Sequence, residues 1–415
     1  MSQYDLEIKN ARIEGYEDLV NIRILDGEIA KIASVFANSS EEITVLNSYD
    51  AKGHLVSPGF FESHIHLDKA CILDRCTIEE GTLEEAVEQT GKAKKSFTED
   101  DVYQRAANVV EMAIKKGTMG IRTFVETDPK TELRSLKAIQ KVRQQYAFAI
   151  DIEICAFAQE GLTGSIATQH LIKKALENGA DLIGGCPYKD EDPSAHIEMI
   201  FDIAQEYDVD VDFHLDFDLD PENSSIPKIA EEVRKRAYQG RVSIGHVTKL
   251  SAMTAEQKKK MFSLLMEAKI TLTVLPATDI FLNGRDYRKL IPRGMVNANE
   301  LANFGIRTTI SSNNILNAFT PFGDASLLRM GNMYANIAQI AKDDELEEVY
   351  RMIGENAARL LGMYKPIKEG SPATLLILET NSSIDAVRRI AQPIAGFKNG
   401  TQTFSNEPAI ILKTE

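Results

Sequence analysis

Polar and apolar positions alternate through roughly the first 55 residues. Tyr4-Asp5-Leu6-Glu7-Ile8 and Ile22-Arg23-Ile24-Leu25 have the period of two that marks a strand with one buried face. Asp26-Gly27, placed between the second of these and Glu28-Ile29-Ala30-Lys31-Ile32, is a hairpin-turn signal. The chain ends in the same manner. Ala373-Thr374-Leu375-Leu376-Ile377-Leu378 reads as a strand, and Lys398-Asn399-Gly400-Thr401 reads as a turn between two more. The two ends are expected to combine into one small β-sandwich domain, residues 1–55 with 366–415, leaving residues 56–365 as a large domain.

The pattern changes in the middle, where apolar strand-like runs alternate with helical stretches, the sign of a parallel sheet with crossover helices. Strands are expected at 56–65, 119–125, 150–157, 181–185, 209–215, 241–246, 270–275 and 307–311. Helical periodicity is clear at 100–116, 194–207 and 226–238. These eight strand–helix units predict an α/β fold, a (β/α)8 TIM barrel, with its chemistry at the C-terminal ends of the strands.

That rule gives the histidines meaning. Pro58-Gly59-Phe60-Phe61-Glu62-Ser63-His64-Ile65-His66-Leu67-Asp68 is an apolar strand ending in His-x-His, so His64 and His66 share one face and can aim at one point. Of the seven histidines, His64, His66, His214 and His246 fall at the ends of strands one, five and six. His54, His170 and His196 lie before a strand or in helices, where packing or surface roles are the default. Neutral imidazoles around an open position suit one divalent metal ion, Zn or Fe. Such an ion makes water acidic enough to attack an amidine, amide or ring C=N carbon, provided a proton carrier is at hand.

Composition narrows the partners. The net charge of −15 argues against nucleic acid and anionic membrane surfaces, and no stretch is apolar enough for a bilayer span. Cys71, Cys76, Cys155 and Cys186 form no Cys-x-x-Cys pair, and the start, Met1-Ser2-Gln3-Tyr4-Asp5, lacks a secretory pattern, so a cytoplasmic location is expected.

The motif set as a whole resembles the amidohydrolase superfamily, in particular its bacterial cytosine deaminase and N-isopropylammelide-hydrolysing branch. The resemblance rests on Ser57-Pro58-Gly59 leading into His64-x-His66, Ala156-Phe157-Ala158-Gln159-Glu160-Gly161, and His214 within Val211-Asp212-Phe213-His214-Leu215-Asp216. It continues through Gly245-His246-Val247-Thr248, Leu282-Asn283-Gly284-Arg285, Pro292-Arg293-Gly294 and Pro321-Phe322-Gly323. It implies His64, His66 and His214 as metal ligands, His246 beside the reacting water or substrate oxygen, and Gln159 on the edge of the substrate ring. Strand four ends at Cys186-Pro187-Tyr188 without the bridging lysine of two-metal relatives, which implies one metal. It also implies assembly into a homo-oligomer.

Two positions depart from the family. Asn313 stands where strand eight usually ends in an aspartate that is both ligand and proton acceptor, and Phe217 stands where cytosine deaminases carry a glutamate. An amide can ligate through oxygen but is no base near neutral pH. Three explanations compete. Another acid serves (Asp216, Asp218, Asp220, Glu160 or Asp68); or the substrate shares the proton relay with His246; or the site is inactive. Asp216, His246 and Asn313 are the expected catalytic residues, Asn313 doubling as a ligand. Gln159, Phe217, Phe319 and Asn314 are the expected substrate contacts, with ordinary packing the alternative for the two phenylalanines. The expected activity is hydrolytic deamination of a small N-heterocycle, cytosine-like or a cyclic guanidine such as creatinine, with release of ammonia. The alternatives are alkylamine release from an aminotriazine and a non-catalytic binding protein that kept the pocket.

Overall fold

The computed structural model describes residues 2–36, 43–406 and 411–412. The expected terminal domain therefore includes positions, 37–42 and most of 407–415, that lie outside the described residues. Eight parallel strands form the central sheet in sequential order: Phe60–Ile65, Thr118–Glu126, Asp151–Ala158, Leu182–Gly185, Asp210–Leu215, Val242–His246, Thr271–Val274 and Thr308–Ile310. They are called barrel strands one to eight below.

The helices outside follow from their sequences. Glu99–Lys115 begins where the Thr98 hydroxyl accepts the Asp101 N–H, and Glu99, Asp100 and Asp101 place negative charge at its positive end. Its buried residues Val102, Ala106, Val109, Val110 and Ala113 recur at helical spacing and face the sheet.

The barrel closes where strand one meets strand eight, and it closes at functional residues. His66 N–H donates to the Asn313 carbonyl and Asn313 N–H donates to the His64 carbonyl, both at 2.9 Å. Strand eight is thus shorter than expected; after Ile310 the chain leaves the regular ladder and Asn313 takes φ 62°.

The expected first strand, 56–65, divides in two. Leu55–Ser57 pairs with Leu375–Leu378 in a terminal sheet, and only Phe60–Ile65 enters the barrel. Pro58 has no N–H to offer a ladder, and Gly59 has φ 96°, where a Cβ would meet the Met119 side chain at 2.5 Å. Hydrophobicity is continuous across this break, so periodicity did not reveal it.

Both chain ends build two four-stranded sheets beside the barrel. One contains Ser2–Ala11, Val20–Leu25, Glu28–Ser34 and Ile43–Asp50; the other contains Leu55–Ser57, Leu375–Leu378, Pro393–Lys398 and Thr401–Ser405. The Asp26-Gly27 hairpin forms as read, with φ 51° and 80° in the turn. Leu375–Leu378 is buried on both faces. Leu375 and Ile377 pack into the sandwich core with Ile8, Ile22 and Phe397, while Leu376 and Leu378 join the barrel core. This one strand fastens the sandwich to the barrel. No described helix is long and apolar enough to cross a membrane.

Candidate active site

Strand geometry brings His64, His66 and His214 to one point. Their Nε2 atoms lie 3.0 Å (His64–His214) and 2.9 Å (His66–His214) apart. All three side chains are buried, and their Nδ1 atoms have no partner. The rings are held by aromatic packing: His64 lies 4.2 Å from the Phe124 centroid and His214 lies 4.2 Å from that of Phe157. Gly245, paired with His214 across the sheet, leaves the space that His64 fills; a Cβ there would sit 2.7 Å from the His64 ring. Burial, then the neighbouring positive or potentially positive groups, holds all three imidazoles well below their ordinary pKa. Three neutral rings with converging lone pairs repel one another unless something positive lies between them. A ligand nitrogen sits about 2.0–2.1 Å from zinc, which puts neighbouring ligands about 2.9–3.4 Å apart. The donor set therefore fits one divalent ion.

Beside this cluster lies a chain of three polar side chains. His246 ends barrel strand six with φ 70°, followed by Val247 at φ 53°. Both are in the left-handed region, an unfavourable place for a β-branched residue, so the tertiary structure must hold this turn. His246 Nδ1 lies 2.6 Å from Asp279 Oδ1, and its Nε2 lies 3.3 Å from Asn313 Nδ2. Asn313 Oδ1 is buried without a partner. The Phe217 ring meets His246 edge-on at 4.6 Å between centroids.

The opposite wall is an ion network. Lys69 Nζ donates to Glu126 (2.7 Å) and to Gln159 Oε1 (2.9 Å). Lys94 Nζ reaches Glu126 at 2.8 Å, Asp128 at 2.7 Å and Glu160 at 2.5 Å. Burial alone would raise the Glu126 pKa, but the Lys69 and Lys94 ammonium groups outweigh it and hold the carboxyl below its usual range. Because Lys69 occupies its oxygen, Gln159 turns its amide nitrogen to Cys186 Sγ (3.6 Å) and the cavity.

The two walls enclose a cavity with His66, His214, His246, Asn313, Asn314, Gln159, Phe217 and Phe319 in its lining. His64 completes the imidazole cluster behind it. These expected residues are brought together; Asp216 is not. The strand ends at Leu215, and φ 49° at Asp216 turns its carboxylate away to accept from Ser224 Oγ (2.6 Å) and Ser225 N–H. There it ties down the loop before helix Ile226–Arg236. The other acids weighed are also engaged elsewhere. Asp68 accepts the Glu126 N–H, Glu160 binds Lys94 and Lys130, Asp218 binds Lys249, and Asp220 accepts the Glu222 N–H.

Sequence reasoning missed Tyr188 and Leu83 in the lining and Asp279 behind His246. Tyr188 adjoined a strand end that had been singled out, which was a usable signal. Asp279 lies in helix Pro276–Leu282 after strand seven, and nothing local marks it.

Comparison with known proteins gives the chain's relatives. The profile of the Amidohydrolase family matches residues 48–396. N-isopropylammelide isopropyl amidohydrolase from Pseudomonas sp. is 27% identical over 406 residues, 96% of each chain. Pterin deaminase from Rhizobium rhizogenes is 25% identical over 364 residues, 86% of this chain and 81% of that one. The crystal structure of 5-methylcytosine deaminase from Klebsiella pneumoniae, liganded with 5-fluorocytosine, superposes with a TM-score of 0.92 at 30% identity, covering 98% of this chain and 99% of that one.

Proposed function

For a chain that belongs to the amidohydrolase family, we propose a metal-dependent hydrolytic deaminase that acts on a small planar N-heterocycle and releases ammonia. The observation that carries this reading is the convergence of His64, His66 and His214 on one point, with His246 and Gln159 facing the same cavity. The three imidazoles hold the ion, and the unpartnered Asn313 Oδ1 is its further protein donor. An all-imidazole and amide set suits zinc and iron alike. When bound, the ion supplies Lewis acidity that brings the deprotonation of water into the neutral range.

The remaining steps belong to the chain. Deamination adds the oxygen of water to a ring carbon and expels its amino nitrogen, so one proton leaves the water and one reaches the nitrogen. His246 is the cavity group able to do both, through Nε2, once the Asn313 N–H that faces this nitrogen at 3.3 Å gives way to the reacting water. Its Nδ1 faces the Asp279 carboxylate, which favours the imidazolium formed midway. Gln159 presents an amide N–H to a substrate acceptor, a ring nitrogen or carbonyl, with its other end fixed by Lys69. Phe217 and Phe319 flank a flat ring and keep bulk water out.

A cytosine-like ring matches these contacts best, because it pairs a carbonyl acceptor with a C–NH2 across one ring nitrogen. A cyclic guanidine such as creatinine has the same elements. Alkylamine release from an aminotriazine is the second reading. Leu83, Leu282 and Phe217 give the cavity an apolar side for an alkyl substituent, and the Pseudomonas relative carries such an activity in its name.

The deciding assay follows both products, ammonia and alkylamine, from cytosine, isocytosine, creatinine and ammelide-type triazines, with a metal-stripped control. Metal-dependent ammonia from one ring supports the first reading, and alkylamine alone supports the second. Neither product from metal-loaded protein would leave a binding-only pocket.

A further inference from the structure

Among the described residues, Asp279 is the one carboxylate hydrogen-bonded to an imidazole of the cavity. It is fully buried, sits one turn into the helix after strand seven, and places Oδ1 2.6 Å from His246 Nδ1. Its other oxygen accepts the Leu275 N–H at 3.3 Å, so the carboxylate is anchored to the end of strand seven. On the far side of the imidazole stands Asn313; the Phe217 ring packs edge-on against the imidazole, and the His214 and His64 rings stand 5.4 and 5.8 Å away between centroids.

Hydrogen-bond polarity gives this row one consistent arrangement. A carboxylate accepts only, so Nδ1 must carry a proton. A neutral ring then has its lone pair on Nε2, and the group facing Nε2 must donate. Asn313 Nδ2 does so, which leaves Asn313 Oδ1, buried and unpartnered, as the atom open to a further ligand. Flipping the amide breaks the row: an oxygen would face Nε2, which would then need a proton of its own. With an aspartate at 313, acceptors would stand on both sides, and the ring would be satisfied only as an imidazolium, which is no base. The asparagine at 313 and the aspartate at 279 therefore belong together.

We propose that Asp279 is a positioning residue that fixes His246 as the Nδ1–H tautomer, with Asn313 completing a one-way hydrogen-bond chain from amide to imidazole to carboxylate. Asn313 is then part of a working site rather than a sign of decay. The tautomer stands on geometry alone, while its catalytic consequence rests on the reading of His246 as proton carrier.

The test is the ¹⁵N spectrum of zinc-loaded, histidine-labelled protein, with His246 assigned from the signals lost in His246→Gln. The expected result is a pyrrole-like Nδ1 and a pyridine-like Nε2 on His246. Asp279→Asn should move the proton to Nε2 or average the two, and Asp279→Glu should restore the original pattern. A protonated Nε2 in the unmodified protein, or an unchanged tautomer in Asp279→Asn, overturns the proposal. If Asp279→Asn does not fold, the spectrum of the unmodified protein decides. None of these outcomes depends on a substrate, so they stay separate from failure of the deaminase reading. On a substrate that turns over, Asp279→Asn should lower kcat by on the order of 10²–10⁴-fold with KM nearly unchanged; loss of stability alone with kcat intact counts against it.

Discussion

The two walls of the cavity are both polar and both buried, yet they are built on opposite principles. On the lysine wall, the charges of Glu126, Lys69, Lys94 and Asp128 meet opposite charges within 2.8 Å. On the histidine wall, the Nδ1 atoms of His64, His66 and His214 and the Oδ1 of Asn313 have no partner. The Nδ1 atoms point away from the place where the Nε2 atoms meet at 2.9 and 3.0 Å, so it is that convergence, together with the buried and unpartnered Asn313 Oδ1, that indicates a site completed by something outside the chain. The lysine wall is scaffold: it fixes Gln159, and its two ammonium groups, Lys69 and Lys94, disfavour a cation there. The unsatisfied wall is where chemistry is expected. The strained backbone follows the same division, for His246, Val247 and Asn313 adopt positive φ on the histidine wall.

The largest expected break is on the unsatisfied wall. His66→Ala should abolish metal retention, read by elemental analysis, and lower turnover by at least about 10³-fold. Full activity with metal content unchanged would sink the reading of the wall as a ligand site. Chelation of the unmodified protein should lower its Tm as well, because a ligand of the folded state alone stabilises it by mass action.

On the satisfied wall the corresponding break concerns folding. Lys94→Met leaves Asp128 without its ammonium partner and weakens the neutralisation of Glu126 and Glu160. A broken buried pair costs about 3–5 kcal/mol, so the urea midpoint should fall sharply. The same wall sets an acid limit. The folded pKa of Glu126 lies below its unfolded value of about 4.3. Its contribution is thus complete above that value and is lost as pH falls through the folded pKa. Glu126→Gln should flatten the acid limb of a stability–pH curve; an unchanged limb would mean that the network does not carry it.

Asn313→Asp sharpens the comparison, because it returns the usual family residue to the histidine wall. With Asp279 still in place it sets carboxylates on both sides of His246, and activity should fall about 10²-fold. A large gain would instead show a decayed site awaiting repair.

What the sequence revealed divides along physical lines. Strands one, five and six and their histidines were legible because a period of two and the strand-end rule act locally: His64 and His66 are two apart, and His214 and His246 end their strands. The break at Pro58-Gly59 was hidden because both pieces are apolar. Asp216 was weighed because it lies close in sequence to His214 at the rim, whereas φ 49° just past the strand end sends its carboxylate to Ser224 and Ser225. Asp279 was invisible because it stands 33 residues from His246 in sequence, and only the pairing of barrel strands six and seven brings the two together.

The smallest expected effect tests where the two walls cooperate. Gln159 is held by the satisfied wall but points its N–H at the cavity. Gln159→Leu keeps nearly the same volume and removes one neutral hydrogen bond to substrate, worth about 1 kcal/mol. The loss should appear as a 5- to 10-fold rise in KM, by that ~1 kcal/mol estimate, with kcat little changed, because the contact is made equally in ground and transition states. The alternative has a distinct signature. If the amide also orients the ring against His246, kcat falls as well, and the scaffold wall takes part in catalysis. An unchanged kcat/KM would show that the amide N–H binds Cys186 alone and that the substrate edge is read elsewhere, with the Lys69 ammonium the next group along that wall.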